Sequence, residues 1–218
     1  MSFIDLFVIV SQASVLLPII VGGVYYKKLT LPFRLLFFYF LLCIGFEILA
    51  AATRIIYNNN MPGLHLYSIV QFLAFSTVYY YHFSERSVLR QVILFNGIAA
   101  FIVAVADAVF IDGIMQSNTL SRSYGAVSMI AYTLIYFYQL FHQDTMHNNQ
   151  YDPVFWFTIA VLVYFGNNLL YFMLRRYLLI NAKDVETLSY YMYLSLNIVA
   201  HFLYAQTFRC FSKWETES

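Results

Sequence analysis

The chain alternates long apolar runs with short polar interruptions. A helix that crosses a bilayer needs about 20 mostly apolar residues, and seven runs have roughly this length or more. We predict a transmembrane helix for each of these runs: residues 3–26, 32–56, 64–83, 88–111, 120–142, 153–180 and 186–211. The interruptions are too short to hold a soluble domain. Runs this continuous also exclude the alternating strands of a transmembrane β-barrel.

Residues that typically begin or break helices stand at the ends of the runs. Pro32, Pro62 and Pro153 each lie near the start of a run, where a missing N–H group costs little. The first run has no basic segment before it and no small-residue cleavage site, so we expect a retained helix instead of a cleaved signal peptide. No inverted repeat or pair of broken helices is apparent, which argues against a secondary transporter.

Composition supports a membrane protein and excludes other classes. Of the 218 residues, 61% are hydrophobic and 11% are charged, whereas soluble domains carry roughly 25% charged residues. The formal net charge of +1 supplies no basic field for phosphates, so direct nucleic-acid binding is not expected. We therefore predict an all-α polytopic membrane protein without a soluble domain. Residues 1–218 would form a single domain, a bundle of seven transmembrane helices.

The basic residues that flank the runs predict the orientation. Cytoplasmic loops carry an excess of Lys and Arg, and Lys27 and Lys28 directly follow the first run. This places the N-terminus outside and the C-terminus inside. The basic residues on the cytoplasmic side are then Lys27, Lys28, Arg34, Arg86, Arg90, Arg209 and Lys213, and those on the outer side are Arg54, Arg122, Arg175, Arg176 and Lys183.

Familiar catalytic and cofactor patterns are absent from the sequence. It contains no Gly-rich phosphate loop, no nucleophile elbow and no His or Cys spacing typical of a metal site. Cys43 and Cys210 lie within apolar runs, which is typical of small buried hydrophobes and not of a disulfide framework. No lysine lies in the middle of a run, which excludes the usual Schiff-base chromophore. We therefore expect no catalytic residue, no cofactor and no metal.

Ionisable residues inside the runs are the first candidates for a functional site, because a charge within the bilayer is costly. Glu47 and Arg54 lie on one face of the second run, and Asp107 and Arg122 lie in the fourth and fifth runs. Together with His65, they fall in the outer half of the membrane under the predicted orientation. Two interpretations stay open: an interhelical lattice of salt bridges and hydrogen bonds, or a water-filled outward cavity for a ligand or ion. Both predict that the four charged side chains converge within the bundle.

Amide and imidazole side chains of the last two runs form a second group of candidates. Asn167 and Asn168 lie in the sixth run, and Tyr193, Asn197 and His201 follow one another at intervals of four residues in the seventh. That interval places the three on one helix face. Polar side chains at this depth need partners on neighbouring helices. They are interpreted either as interhelical contacts or as a pocket floor with a proton-sensitive His201.

Aromatic residues make up 20% of the chain. Tyrosines gather at the ends of runs, for example at 79–81 and 190–191 and at Tyr136 and Tyr138, where amphipathic rings suit the membrane boundary. We interpret them as an aromatic belt. A platform for stacked bases would need a basic groove, which the sequence does not supply.

Three segments carry a resemblance to known proteins. They are DPVFW at residues 152–156, LVYFGNNL at 162–169 and HLYSIVQF at 65–72. These segments resemble stretches of a group of small uncharacterised bacterial membrane proteins. The resemblance implies a seven-helix unit over nearly the whole chain, in the bacterial inner (plasma) membrane, with no assigned activity. Some small multipass proteins of this size accompany sensor kinases, and others accompany RNA-targeting CRISPR nucleases.

These observations favour a non-enzymatic sensor or receptor-like module. An outward-facing polar cavity would bind a small ligand and change helix packing, with output through a separate protein partner. The alternative is an oligomeric pore or membrane-perturbing effector, for example in phage defence, and a third class is an intramembrane lipid-modifying enzyme. The expected partners are the lipid bilayer, a protein and, for the pore, further copies of the chain.

Overall fold

The computed structural model describes residues 3–83, 86–111, 113–116, 118–142 and 151–212. These residues form helices and short turns, which confirms the all-α prediction. The α-helices are α1 (Phe3–Ala13), α2 (Leu16–Val24), α3 (Leu31–Tyr57), α4 (Met61–His82), α5 (Ser87–Ala106), α6 (Thr119–His142), α7 (Pro153–Asn181) and α8 (Lys183–Cys210). A 3₁₀ turn covers Tyr26–Lys28, and a π-helical segment covers Asp107–Ile111.

The predicted limits of most helices are confirmed. Helices α3 to α8 begin and end within three residues of the predicted runs, when the π-helical segment is counted as the end of the fourth run. Pro62 and Pro153 stand in the first turns of α4 and α7. A proline is well tolerated there, because the N–H group it lacks would have no partner within the helix.

In the described part of the chain, four helical stretches are long and apolar enough to cross a membrane: Leu6–Val24, Leu31–Tyr57, Ser87–Ile111 and Pro153–Tyr171. Large apolar side chains on these stretches are exposed, for example Ile55 (81%) and Phe110 (82%). Apolar exposure of this extent is typical of a surface that contacts a membrane or a protein. Helices α4, α6 and α8 have 22, 24 and 28 residues and carry more polar side chains. The four stretches support the prediction of a membrane protein.

The chain divides into two compact units. Residues 31–129 form one, here called the central unit, and residues 1–30 with 130–218 form the other, here called the terminal unit. The boundary falls within α6. In the central unit, α3 packs on α4 and α4 packs on α5. In the terminal unit, α7 packs along α8, which also contacts α1 and α2.

In the terminal unit, α7 and α8 form a helical hairpin with one residue between them. Ala182 leaves the helical conformation (φ −155°, ψ 70°), while its N–H still bonds to the carbonyl of Leu178 at 2.8 Å. The carbonyl of Ala182 accepts the N–H of Glu186 at 3.0 Å, so the next helix begins at once. The two helices run antiparallel, with the buried rings of Phe157 and Tyr204 6.1 Å apart between centroids.

The first predicted run, residues 3–26, is not one helix. Ser14 and Val15 separate α1 from α2. Pro18 lacks an N–H, and its ring would clash with the carbonyl of Ser14 in a continuous helix. Two backbone hydrogen bonds here span three residues instead of the four of an α-helix. They run from Val15 N–H to Gln12 O (3.3 Å) and from Leu17 N–H to Ser14 O (3.0 Å). The expectation of unbroken helices is therefore corrected at this point.

In the central unit, aromatic packing fixes α3 against α4. The buried rings of Tyr39 and Phe75 meet edge to face, with centroids 5.2 Å apart. All buried residues of α3 fall between Phe33 and Cys43. The second half of this helix, residues 44–57, is described throughout and has no buried residue.

We expect Asp152→Ala to destabilise the terminal unit. Asp152 Oδ1 caps α7 by accepting from Val154 N at 2.8 Å, and its Oδ2 accepts from the Tyr136 hydroxyl at 3.1 Å. Because a cap and a side-chain hydrogen bond are lost together, the free energy of unfolding should fall by about 2 kcal/mol. Asp184→Ala, an exposed acidic position in the first turn of α8, is the matched control. Equal unfolding midpoints for the two variants in detergent would contradict this assignment.

Candidate functional site

A polar cluster joins α4 to the start of α6 in the central unit. Its centre is the hydroxyl of Ser68, which donates to Leu64 O (2.9 Å) and accepts from Asn118 Nδ2 (2.6 Å) and Arg122 Nε (3.4 Å). Asn118 Nδ2 also donates to Leu64 O at 3.0 Å. A serine hydroxyl has one proton and two lone pairs. The hydrogen-bonding capacity of Ser68 is therefore fully used.

Asp107 connects the end of α5 to the same helix start. Its side chain is 0% exposed, and its Oδ2 accepts from the backbone N–H of Ser121 at 3.0 Å. Ser121 is the third residue of α6, where the N–H lacks a partner within the helix and the helix dipole favours a negative charge. The carboxylate thus supplies the missing bond, next to Arg122 in the chain. Asp107 is also the first residue of the π-helical segment.

His65 contacts the connection between α5 and α6. It is buried, and its Nε2 lies 3.2 Å from the carbonyl oxygen of Gln116. Because a carbonyl only accepts, Nε2 donates this hydrogen bond. His65 Nδ1 is buried and has no hydrogen-bond partner among the described residues. The predicted residues His65, Asp107 and Arg122 therefore belong to one polar region around the start of α6.

A small cavity lies beside this region, between α4, α5 and α6. Its volume is about 20 Å³, enough for one water molecule. Gly97 borders open space, because a Cβ at this position would meet nothing within 4 Å. The polar part of the wall is formed by Ser68 and Ser121. The remaining wall is formed by Ile69, Phe72, Leu73, Gly97, Ala100, Phe101 and Gly125.

The structure places Glu47 and Arg54 differently from the expectation. Both side chains are exposed on α3. The physical reason is their position in residues 44–57, the half of the helix in which nothing is buried. Of the four charged residues expected to converge, Asp107 and Arg122 form separate hydrogen bonds at the start of α6, to Ser121 N and to Ser68 Oγ, whereas Glu47 and Arg54 stay exposed.

The predicted asparagines of α7 make local and interhelical bonds in the terminal unit. Asn167 Nδ2 donates to the carbonyl of Tyr193 at 3.2 Å, which links α7 to α8. Asn168 is buried, and its Nδ2 donates to the carbonyl of Tyr164 one turn earlier, at 2.6 Å. Asn197 is also buried on α8.

His201 contacts the interruption between α1 and α2. Its Nδ1 lies 2.7 Å from Ser14 Oγ, and Ser14 Oγ donates to the carbonyl of Ser11 at 2.6 Å. The single hydroxyl proton of Ser14 is used in that bond, so His201 Nδ1 is the donor. A nucleophilic serine would need its proton directed to the imidazole instead. The hydrogen bonds of Ser14 thus connect α1 with α8.

Sequence reasoning missed a hydrogen-bonded cluster between α3 and α4. The hydroxyl oxygens of Tyr39 and Tyr67 are 2.8 Å apart, and Gln71 Nε2 donates to the Tyr39 hydroxyl at 2.9 Å. The thiol of Cys43 lies beside both hydroxyls. Intervals of four residues, from Tyr39 to Cys43 and from Tyr67 to Gln71, are the signal that could have identified this cluster.

Tyrosines near the helix ends differ in exposure, and Tyr80, Tyr190 and Tyr191 are half-buried. Tyr79 and Tyr136 are buried, and Tyr136 donates to Asp152. Tyr81 and Tyr138 are exposed. The buried Tyr79 and Tyr136 do not suit the predicted aromatic belt, because their rings lie in the protein interior.

The comparisons with known proteins give no match: no protein-family model, curated protein or solved structure is similar to this chain. The candidate site therefore rests on geometry alone. Its features are a small cavity, two serines that form the polar part of its wall, and the buried Asp107, which follows α5 and bonds to the start of α6.

Proposed function

We propose that this protein is a membrane receptor for a small ligand, with the cavity between α4, α5 and α6 as its binding site. One observation carries the proposal: the polar residues of the cavity wall also hold the start of α6. Ser68 binds Asn118 and Arg122, and the N–H of Ser121 binds Asp107. A ligand that bonds to the Ser68 hydroxyl must displace one of its partners, because that hydroxyl has no capacity left. Ligand binding is therefore coupled to the packing of α6.

Helix α5 is the wall of the cavity best suited to move. Of its 20 residues, Ile93 and Ala104 are the buried ones, and a helix with few buried contacts shifts at low cost. It continues into the π-helical segment Asp107–Ile111, and such segments are frequent at functional sites. A ligand that favours a shifted α5 would change the position of Asp107 and so the bond to α6.

The composition of the wall defines the class of ligand. Ser68 and Ser121 offer hydroxyl groups, while Phe72, Leu73 and Phe101 offer apolar surface, and no charged residue is among the wall residues described. This chemistry suits a small neutral amphiphile with one hydrogen-bonding group and a short apolar body. A ligand larger than water would enter as α5 moves outward.

We further propose that all seven runs span the bacterial inner membrane as one domain, with the N-terminus outside and the C-terminus inside. This topology places the starts of α4 and α6 near the outer face, so the cavity opens outward. A protein partner that receives the signal is supported by the exposed second half of α3. Arg54 is exposed there and costly against lipid, and a partner with a complementary charge would lower that cost.

The topology predicts opposite labelling of the two chain ends. Ser2→Cys should react with a membrane-impermeant maleimide added outside intact cells. Ser218→Cys should react only after the membrane is permeabilised. Background labelling should be low, because Cys43 and Cys210 are buried. Labelling of both ends from the same side would show an even number of spans and refute this arrangement.

The cavity predicts a ligand effect that depends on Gly97. Short alcohols and amides, namely propanol, butanol, propionamide and butyramide, serve as probes of the ligand class. At least one should raise the unfolding midpoint of the wild-type protein in a saturable manner. Gly97→Leu should remove that shift, because the side chain fills the cavity.

Gly45→Leu is the matched control for the cavity variant. Gly45 is an exposed helical glycine of α3, and a Cβ there also meets nothing within 4 Å. This variant should keep the probe-induced shift. Identical shifts in both variants would mean that the probes act on the detergent or the protein surface, and the cavity would then not be the binding site.

The buried position of Asp107 and the exposed position of Glu47 predict that the two carboxyl groups contribute differently to stability. Asp107→Ala removes the acceptor for the Ser121 N–H and should lower the free energy of unfolding by about 1–3 kcal/mol. Asp107→Asn keeps an acceptor oxygen and should lower it less. Glu47→Gln, at an exposed position, should leave it nearly unchanged. Denaturation midpoints in detergent give this order, and a larger loss for Glu47→Gln than for Asp107→Ala would contradict it.

A further inference from the structure

The interruption between α1 and α2 lies at the middle of a membrane span. Val15 is the central residue of the 19-residue stretch Leu6–Val24. Ser11, Ser14 and Pro18, on either side of it, are buried. Val15 keeps helical dihedrals (φ −60°, ψ −21°), so the interruption is a change in hydrogen bonding and not an unwound segment. Polar groups at such a depth are tolerated where protein encloses them or where they face water or an ion. The interruption is thus a place where polar groups gather away from lipid.

The hydrogen bonds at the interruption direct both serine protons to carbonyl groups. Ser11 Oγ donates to the carbonyl of Leu194 (3.2 Å), and Ser14 Oγ donates to the carbonyl of Ser11 (2.6 Å). Ser14 Oγ in turn accepts from His201 Nδ1 at 2.7 Å. Each hydroxyl oxygen therefore presents at least one further lone pair and no further proton.

Asn197 adds an oxygen on the facing helix. It follows Leu194 by three residues and precedes His201 by four, so all three share the face of α8 that contacts α1. The side chain of Asn197 is 8% exposed, and its Oδ1 has no hydrogen-bond partner in the described part of the chain. A buried oxygen in this state would be stabilised by an occupant that donates a hydrogen bond or carries positive charge.

We propose that Ser11, Ser14 and Asn197 bind a monovalent alkali cation at the interruption. Neutral oxygens of hydroxyl, amide and carbonyl groups replace the hydration shell of such ions. The contributing segments, residues 11–22 and 194–205, contain no carboxylate, whereas sites for divalent cations are rich in carboxylates. A single positive charge is therefore the best match. The ion would hold α1 and α2 on α8, independently of the cavity in the central unit.

The full-length protein in detergent tests this proposal by thermal unfolding in NaCl, KCl or choline chloride at equal ionic strength. Na⁺ or K⁺ should raise the unfolding midpoint by about 5 °C at a hundredfold excess over the dissociation constant, with saturation. Choline is too large for the site and should have no such effect. The alkali ion with the greater effect is the preferred occupant. Equal midpoints in all three salts would overturn the proposal and leave water as the occupant.

Variants at the interruption make the test specific. Asn197→Leu and Ser14→Ala should remove the dependence on the alkali cation, while Ser195→Ala, at an exposed serine of α8, should keep it. Asn197→Asp adds a negative charge in a side chain of nearly the same shape, so it should strengthen the effect of the alkali cation on the unfolding midpoint. This variant decides the test if Asn197→Leu does not fold. Full retention of the effect in Asn197→Leu, or a weaker effect in Asn197→Asp, would overturn the proposal. Gly97→Leu, the variant that fills the cavity of the central unit, should leave the effect of the alkali cation unchanged. Failure of the cation proposal can therefore be told apart from failure of the receptor proposal.

Discussion

A polar group buried in a protein costs free energy unless it forms a hydrogen bond, because it has given up its bonds to water. This constraint explains where the polar residues of the chain meet. The first N–H groups of α6 lack partners in their own helix, and the buried carboxylate of Asp107 supplies one. Ser68 uses its proton and both lone pairs in the same region. The start of α6 is thus held by polar bonds, and anything that competes for them acts on the whole helix.

Irregular backbone accompanies both polar regions. In the terminal unit, Pro18 interrupts a span, and the serines before it contact His201 and the carbonyl of Leu194. In the central unit, α5 ends in the π-helical segment Asp107–Ile111, whose first residue binds the N–H of Ser121. A regular helix satisfies its backbone internally and presents only side chains to its neighbours. A departure from regularity frees backbone groups and makes a polar site there possible.

The helix limits could be predicted because length, apolarity and the prolines of α4 and α7 are local properties of the sequence. The interruption at Ser14 could not, since transmembrane helices often tolerate a proline such as Pro18. The surroundings of each charged side chain were harder still to predict. Glu47 and Asp107 look alike in the sequence, yet one is exposed and the other is 0% exposed. The difference depends on which helices cover each segment, and no local pattern contains that information.

The bond between Ser11 and Leu194 joins positions 183 residues apart. At about 5–20 residues per second, a ribosome needs about 10–40 s to make the chain between them. Throughout that time the first span exists without α8, its partner helix. The bond from Ser14 to the carbonyl of Ser11 lies within the first span and satisfies one hydroxyl proton during the wait. Helix α8 therefore completes the hydrogen bonds of α1, and until α8 is made the Ser11 hydroxyl lacks its acceptor at Leu194.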